Sequence, residues 1–465
     1  MNLFRKKLPE PDEVHGLRRV LNFWDLTGLG IGQMIGAGIF VLTGVAAATQ
    51  AGPALVVSFL IAGIPCLFVA LAIAELAASV GGCGGVYGYS YAAFGELPAW
   101  LMGWIAAFAA WISVPTVANG WSGYANNALI AAGLGLPEML TKGPAAGGII
   151  NLPASLIILV LMMALIAGVS QSAKLNMAIV AVKVFALAVF IGVALFHVQP
   201  ALWQPFMPFG WFESMPDGRT VGVLAAAPVV FFAYSGFQSV SFAVEEAKNP
   251  QRDVPLATLA GLAFCAVLYI TVSGLLTTIT PYASLNVSSP VAYALLMLGY
   301  NWGSALVAIG VIVGLTSTML VTYYSLTRIL YAMSRDGLMP GLFCRLDQKT
   351  HVPATSTILC GVTMSLAAGL MPLAALAPLA SASLLTEFAG ICAGVFVLRL
   401  TNPSMPRPFK SPGGVTFPLL GVLSCLALMS FLPPAALQRL GLSLLAGFAL
   451  YFLYAARRTG ALKAA

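Results

Sequence analysis

Apolar residues along the chain come in long runs, separated by short polar breaks. A helix crossing the roughly 30 Å hydrocarbon layer needs about 20 such residues. The runs predict twelve spans, at about 26–48, 53–79, 94–125, 152–168, 173–197, 221–245, 255–280, 303–333, 354–372, 379–400, 414–433 and 438–456. The fourth is the shortest and starts at Pro153. The first begins near Leu26 and continues past 48 without a small-residue cleavage site, so it is expected to be an uncleaved span and not a signal peptide. The fold class expected is an all-α polytopic membrane protein of 12 transmembrane helices.

Composition sharpens this picture. Of 465 residues, 60% are hydrophobic and 8% charged, where a soluble domain carries about 25% charged residues. A soluble enzyme, a nucleic-acid binder and a disordered scaffold are excluded together. The net charge of +7 sits between apolar runs, where it acts as a topology signal. With both termini cytoplasmic, 17 of the 22 Lys and Arg fall in cytoplasmic segments, which sets the expected orientation. The seven cysteines include no CxxC pair and no histidine neighbour, so they are expected to pack as small hydrophobes, with no metal site and no cofactor.

Spans 1 and 6 both carry glycine and small polar residues at mid-membrane. Span 1 reads Gly30-Ile31-Gly32-Gln33-Met34-Ile35-Gly36-Ala37-Gly38-Ile39-Phe40, and span 6 reads Phe231-Phe232-Ala233-Tyr234-Ser235-Gly236-Phe237-Gln238-Ser239. Five spans separate the two, an odd number, so the units they open have opposite orientation in the membrane. Spans 3 and 8, both unusually long, are again five apart. Interrupted helices at matching places in inverted halves point to a transporter's central site. The plainer reading, that glycine simply packs membrane helices, leaves the correspondence unexplained. The expected division is a cytoplasmic segment 1–25, repeat one over 26–200, repeat two over 201–400, spans 11 and 12 over 401–456, and a cytoplasmic tail 457–465.

A break in mid-membrane leaves peptide groups without intrahelical partners, which is tolerable only at a cavity or a polar ligand. The half-helix after the break offers free N–H groups and a positive dipole end suited to a carboxylate. The half before it ends in carbonyls suited to an ammonium. The backbone of Gly36, Ala37, Gly38 and Ile39 is therefore expected to hold the α-carboxylate of an amino acid. Carbonyls near Ile35, Phe231, Ala233 and Tyr234 are expected to hold its α-ammonium, with Ser235 and Gly236 marking the second break.

Lys183 lies about ten residues into span 5, roughly 15 Å deep at 1.5 Å per residue, too deep to reach water easily. An isolated charge there costs about 2.5–3.5 kcal/mol on insertion scales, so a partner or a cavity is required. Lys183 is thus a candidate proton carrier able to stand in the place of a sodium ion. The alternative is a permanently charged tether to the carbonyls of span 1. Glu387 in span 10 and Glu75 in span 2 are the other mid-span charges. Glu387 is read as a partner for a cationic side chain or a member of a polar cluster, and Glu75 either as structural or gating or, equally, as a ligand. In span 3, Ser113, Thr116 and Asn119 either line the pocket or pack. Glu245, Glu246, Lys248, Arg252 and Asp253 close span 6 as inner-gate pairs or as a solvated loop.

At these residues the chain resembles the amino acid–polyamine–organocation transporter superfamily. The specific pieces are Gly36-Ala37-Gly38-Ile39-Phe40, Ala74-Glu75-Leu76, the stretch from Phe231 through Pro255, Arg328 through Gly337, and Arg407-Pro408-Phe409-Lys410. It is most similar to the cationic amino acid transporter branch and its bacterial relatives. The resemblance implies a LeuT-type fold of 5+5 inverted repeats plus two extra helices, alternating access, and Lys183 in place of sodium. It further implies that Phe231 is a gating aromatic over the substrate, and that Thr316 and Ser317 face the lysine. Gln238 departs from the acid many members carry there, and Gly81 to Gly85 is an unusual version of its loop. Two further spans of many eukaryotic members are missing, which makes a bacterial inner membrane the expected location.

The expected function is a secondary active carrier of L-amino acids, proton-coupled through Lys183. The near alternative is an obligate amino acid or amine exchanger in which Lys183 never titrates. A channel or sensor leaves the paired breaks unexplained. A membrane enzyme is not expected, because no nucleophile–base or metal motif appears. Expected partners are a small amino acid, protons and lipid, with no nucleic acid and no obligate protein partner.

Overall fold

The computed structural model describes residues 19–80, 85–168, 173–216, 220–347, 350 and 352–455. Among these, eight helical stretches are long and apolar enough to cross a bilayer: Phe23–Ser79, Glu96–Ala131, Lys174–Leu195, Val223–Ser241, Pro250–Ile279, Asn301–Arg335, Leu373–Thr401 and Pro434–Ala455. Three shorter apolar helices, Leu152–Ile166, Ala354–Leu370 and Thr416–Met429, occupy predicted spans 4, 9 and 11. At 1.5 Å per residue the shorter helices fall below the roughly 30 Å of a straight crossing.

The first stretch is interrupted twice. An α-helix runs Phe23–Met34, a wide π-type turn begins at Gly38, and a 3-10 turn at Gly52–Ala54 precedes the helix Leu55–Ser79. Its start follows from local chemistry. The Asn22 side chain accepts from the N–H of Trp24 (2.8 Å) and Asp25 (3.1 Å), while the Asp25 carboxylate accepts from the N–H of Asn22 (3.0 Å). Each thereby satisfies donors that the first helical turn leaves open.

Several elements differ from the sequence expectation. Predicted span 3 is preceded by a separate helix, Gly85–Phe94, and then runs Glu96–Ala131. Gly95 joins the two at φ 97°, a conformation glycine takes without strain. A helix at Pro290–Met297 and a two-stranded ribbon pairing Glu213–Ser214 with Thr220–Val221 fill loops. Such elements are too short to raise a span-length apolar signal.

Glu96–Ala131 packs against Asn301–Arg335 and Leu373–Thr401, and Phe23–Met34 against Pro250–Ile279 and Ala173–Leu195. The outward faces stay apolar: Val267 is 66% exposed, Leu445 67% and Ile309 63%. A surface this apolar needs lipid against it. The chain is a multi-pass membrane protein.

One buried ionic knot ties predicted spans 2 and 10 to the segment that follows span 10. The Glu75 carboxylate accepts from Arg399 Nε (2.9 Å), from Arg399 Nη2, and from the N–H (2.9 Å) and hydroxyl (2.8 Å) of Ser411. Arg407 Nε stands 3.4 Å from the same carboxylate. All three charged side chains are under a tenth exposed. Removing one partner leaves the others charged and unpaired in a buried place. Glu75→Ala is therefore expected to cost about 3–5 kcal/mol. A lowered unfolding temperature in detergent checks this; an unchanged one rejects it.

Candidate substrate-binding site

The helix Phe23–Met34 stops because its next acceptors find partners elsewhere. In a continuing helix the carbonyl of Gly32 would accept from Gly36 and that of Met34 from Gly38. Here Gly32 O accepts from Lys183 Nζ at 2.6 Å, and Met34 O from the hydroxyl of Tyr269 at 2.6 Å. No backbone hydrogen bond is made by the N–H of Gly36 or Ala37 among the described residues, and the helix restarts at Gly38.

The second break is built the same way. Val223–Phe231 passes through a 3-10 turn, Phe232–Tyr234, and Ser235 then turns extended at ψ 140°. The Ser235 N–H (3.1 Å) and hydroxyl (2.7 Å) both donate to Phe232 O. Gln238 Oε1 accepts from the Gly236 N–H at 2.8 Å. Gln238 thus caps the break.

The two breaks touch each other reciprocally. A Cβ on Gly236, which sits at φ 120°, would meet the backbone and Cβ of Gln33 at 2.7–2.9 Å. A Cβ on Gly38 would collide with Ala233. Tyr269 closes the arrangement, its hydroxyl lying 2.6 Å from Met34 O and 2.8 Å from Ala233 O and sharing one proton between them. Nothing in the sequence singles out this tyrosine, because a phenol is unremarked in an apolar helix.

A cavity opens at the junction. From the first break it takes Gln33, Met34, Gly36, Ala37 and Gly38, and from the second Phe232, Ser235, Gly236, Gln238 and Ser239. Span 3 contributes Ala106, Ala110, Ser113 and Val117; span 8 contributes residues from Thr318 to Ile329; span 10 contributes Leu384 and Glu387. Of the residues expected at the substrate, Gly36, Ala37, Gly38, Ser235 and Gly236 line this cavity. Ile35, Ile39, Ala233 and Tyr234 lie just behind it, fully or almost fully buried.

Phe231, expected as the gating aromatic, is 0% exposed with its ring 5.8 Å from that of Phe388; its neighbour Phe232 is the one on the wall. Tyr234 points away, its hydroxyl donating to Phe59 O at 3.0 Å.

Lys183 is completely buried and donates to Gly32 O and, at 2.9 Å, to Thr318 Oγ1. Thr318 is also on the cavity wall, so it connects the amine to the site. The pair expected to face the lysine precedes it. Thr316 accepts from Trp121 Nε1 at 3.0 Å, and Ser317 is buried beside it. Room for the lysine stem comes from Gly314, where a Cβ would stand 2.7 Å from Lys183 Cε.

The remaining candidates separate clearly. Glu387 is 5% exposed and on the cavity wall, whereas Glu75 belongs to the ionic knot. Asn119 does not line the cavity. Its amide donates to Pro115 O and Ala368 O (both 3.1 Å) and accepts from Asn151 Nδ2 (3.2 Å), binding span 3 to spans 9 and 4. The Glu245 side chain lies outside the described residues. Beside it, the N–H groups of Val20 and Leu21 donate to Glu246 O and that of Lys248 donates to Leu21 O, all at 2.9 Å, pinning the segment before span 1 to the end of span 6.

Two unwound helices meeting at a cavity inside an apolar bundle are features of a membrane carrier. The chain belongs to the amino acid permease family, whose pattern it matches over residues 21–453. It is 40% identical over 464 residues to the methylthioribose transporter of Bacillus subtilis (strain 168), covering 98% of this chain and 99% of that one. Identity is also 40%, over 468 residues and 98% of each chain, with the branched-chain amino acid permease BcaP of the same organism. With the vacuolar cationic amino acid transporter 4 of Arabidopsis thaliana it is 35% over 396 residues, 84% of this chain and 65% of that one. These relatives are named as transporters and permeases, which are not enzymes.

Tyr269→Phe leaves two buried carbonyls short of their shared donor. It is expected to lower stability by about 1–3 kcal/mol and to weaken ligand binding with it. Parallel unfolding and binding measurements on purified protein check this, and parental behaviour in both would show the bridge to be idle.

Proposed function

We propose that the protein is a secondary active carrier of L-amino acids that works by alternating access, driven by protons. The observation that carries this reading is the meeting of two helix breaks at one cavity, with the buried amine of Lys183 on the Gly32 carbonyl beside it. The free N–H groups at Gly36 and Ala37 and the first amides of the restarted helix suit a carboxylate. The carbonyls of Ile35 and Tyr234 suit the ammonium. Lys183 then takes the role of a coupling cation. Protonated, it holds Gly32 and Thr318 together; deprotonated, it loses the charge that strengthens both bonds.

The arrangement we infer is twelve spans. Spans 1–5 (26–200) and 6–10 (201–400) form two inverted LeuT-type halves, 401–456 adds two helices, and segments 1–25 and 457–465 are cytoplasmic. The reciprocal contact of the breaks that open each half supports this division. Splitting the stretch Phe23–Ser79 at its 3-10 turn turns eight long stretches and three shorter helices into twelve elements. The cavity follows span 8 from Thr318 to Ile329, toward the end that carries Arg335. On the positive-inside rule that end is cytoplasmic, so the state is inward-facing. The bacterial relatives support a bacterial cytoplasmic membrane as its location.

Reconstituted in liposomes, the protein is expected to accumulate labelled amino acid under an imposed pH gradient without internal substrate. Lys183→Ala is expected to lose at least tenfold of that driven uptake. Strict dependence on internal substrate would instead make it an exchanger and overturn the proton role.

A further inference from the structure

We propose that Glu387 reads the substrate's side chain, and that with Gln33 it selects a neutral group that both donates and accepts hydrogen bonds, a hydroxyl or a carboxamide. This rests on the carrier reading above. Glu387 is the one ionisable side chain among the cavity-lining residues described. It is 5% exposed, and no protein donor reaches its carboxyl group among the described residues. The contrast with Glu75 is direct: where the fold keeps a buried carboxylate for structure, it surrounds it with two arginines and both donors of Ser411.

The second observation is independent. Gln33 is 7% exposed, lines the same cavity, and its Nε2 is buried with no hydrogen-bond partner. Native interiors seldom leave such groups unmet, and the cost is recovered when a ligand supplies the partner. Phe388 holds Glu387 close to the second break, its ring 5.8 Å from Phe231 and 5.2 Å from Phe237. The zwitterion is served by backbone on spans 1 and 6, so a carboxyl on a third element is left for what projects beyond it. A hydroxyl or carboxamide satisfies both wall groups together. An ammonium answers Glu387 alone, and an aliphatic side chain answers neither. A site built to hydrogen-bond a polar group strongly rejects the analogue that lacks it.

The test is binding to the purified full-length protein in detergent, followed by ligand-induced thermal stabilisation. The panel is serine, threonine, asparagine and glutamine against valine, leucine, lysine, arginine, glycine and alanine. Hydroxyl and carboxamide amino acids are expected to bind at least tenfold tighter than valine and leucine. Glu387→Leu is expected to erase most of that gap while glycine and alanine stay within about threefold of the parent. Gln33→Leu is expected to narrow it through the other wall group, and the parental panel is informative whether or not either variant folds. Tightest binding of aliphatic or of cationic amino acids by the parent overturns the proposal and leaves the carrier reading standing. Equal weakening of every amino acid in Glu387→Leu also overturns it, because the carboxyl would then be holding the α-amino group. Failure of the parent to bind any amino acid overturns the carrier reading itself.

Discussion

Everything distinctive in this protein follows from peptide groups that lose their helical partners where no water can replace them. The molecule answers most of them from its own side chains. Gly32 O takes a lysine, Met34 O and Ala233 O share a tyrosine, Phe232 O takes a serine, and the Gly236 N–H takes a glutamine. What is left over is small and directional: amides after the first break and a few carbonyls around the cavity. On the proposed reading, a site made by subtraction in this way takes a zwitterion's ends before any side chain is consulted. It is also rigid, because each break is pinned by a bond that exists only while the helix stays open.

The parts of this that the sequence discloses are those with a one-dimensional signature. A run of apolar residues fixes a helix, so the long spans are legible, and the glycine-rich strings 30–38 and 231–239 stand out against them. A lysine in an apolar run is conspicuous for the same reason. Partners across the bundle are not legible, because one residue along a helix rotates a side chain by about 100°. Thr318, one residue past the expected pair, therefore meets Lys183, and Asn119 turns to spans 9 and 4. Where the helix tightens into the 3-10 turn just before the second break, it is Phe232 and not Phe231 that is on the cavity wall. Tyr269 gives no signal at all: its role exists only once three elements are assembled.

Glu75 and Glu387 make the same point in chemical terms. Both are glutamates buried within predicted spans, and the sequence does not show what either one faces. Packing does. One is enclosed by two arginines and Ser411 and holds the molecule together; the other faces an open volume without an answering group. A buried polar group that is fully met contributes to the fold, and one that is unmet costs it stability. The unmet kind persists where a ligand supplies the partner, so it marks function more reliably than burial or charge alone.

The two ties at the first break also differ in kind. The phenol of Tyr269 is neutral throughout the physiological range, and it joins Met34 to Ala233, break to break. That tie does not depend on pH, so in the proposed cycle the two unwound segments move together. The amine of Lys183 joins the first break to spans 5 and 8 instead. In the proposed cycle this is the bond that changes strength, because only its donor gains and loses charge. A permanent tie within the moving body and a switchable one across its boundary is the minimum that alternating access requires. On that reading the fold supplies both with single side chains, Lys183 and Tyr269, whose acceptors Gly32 O and Met34 O stand two residues apart on the same helix end.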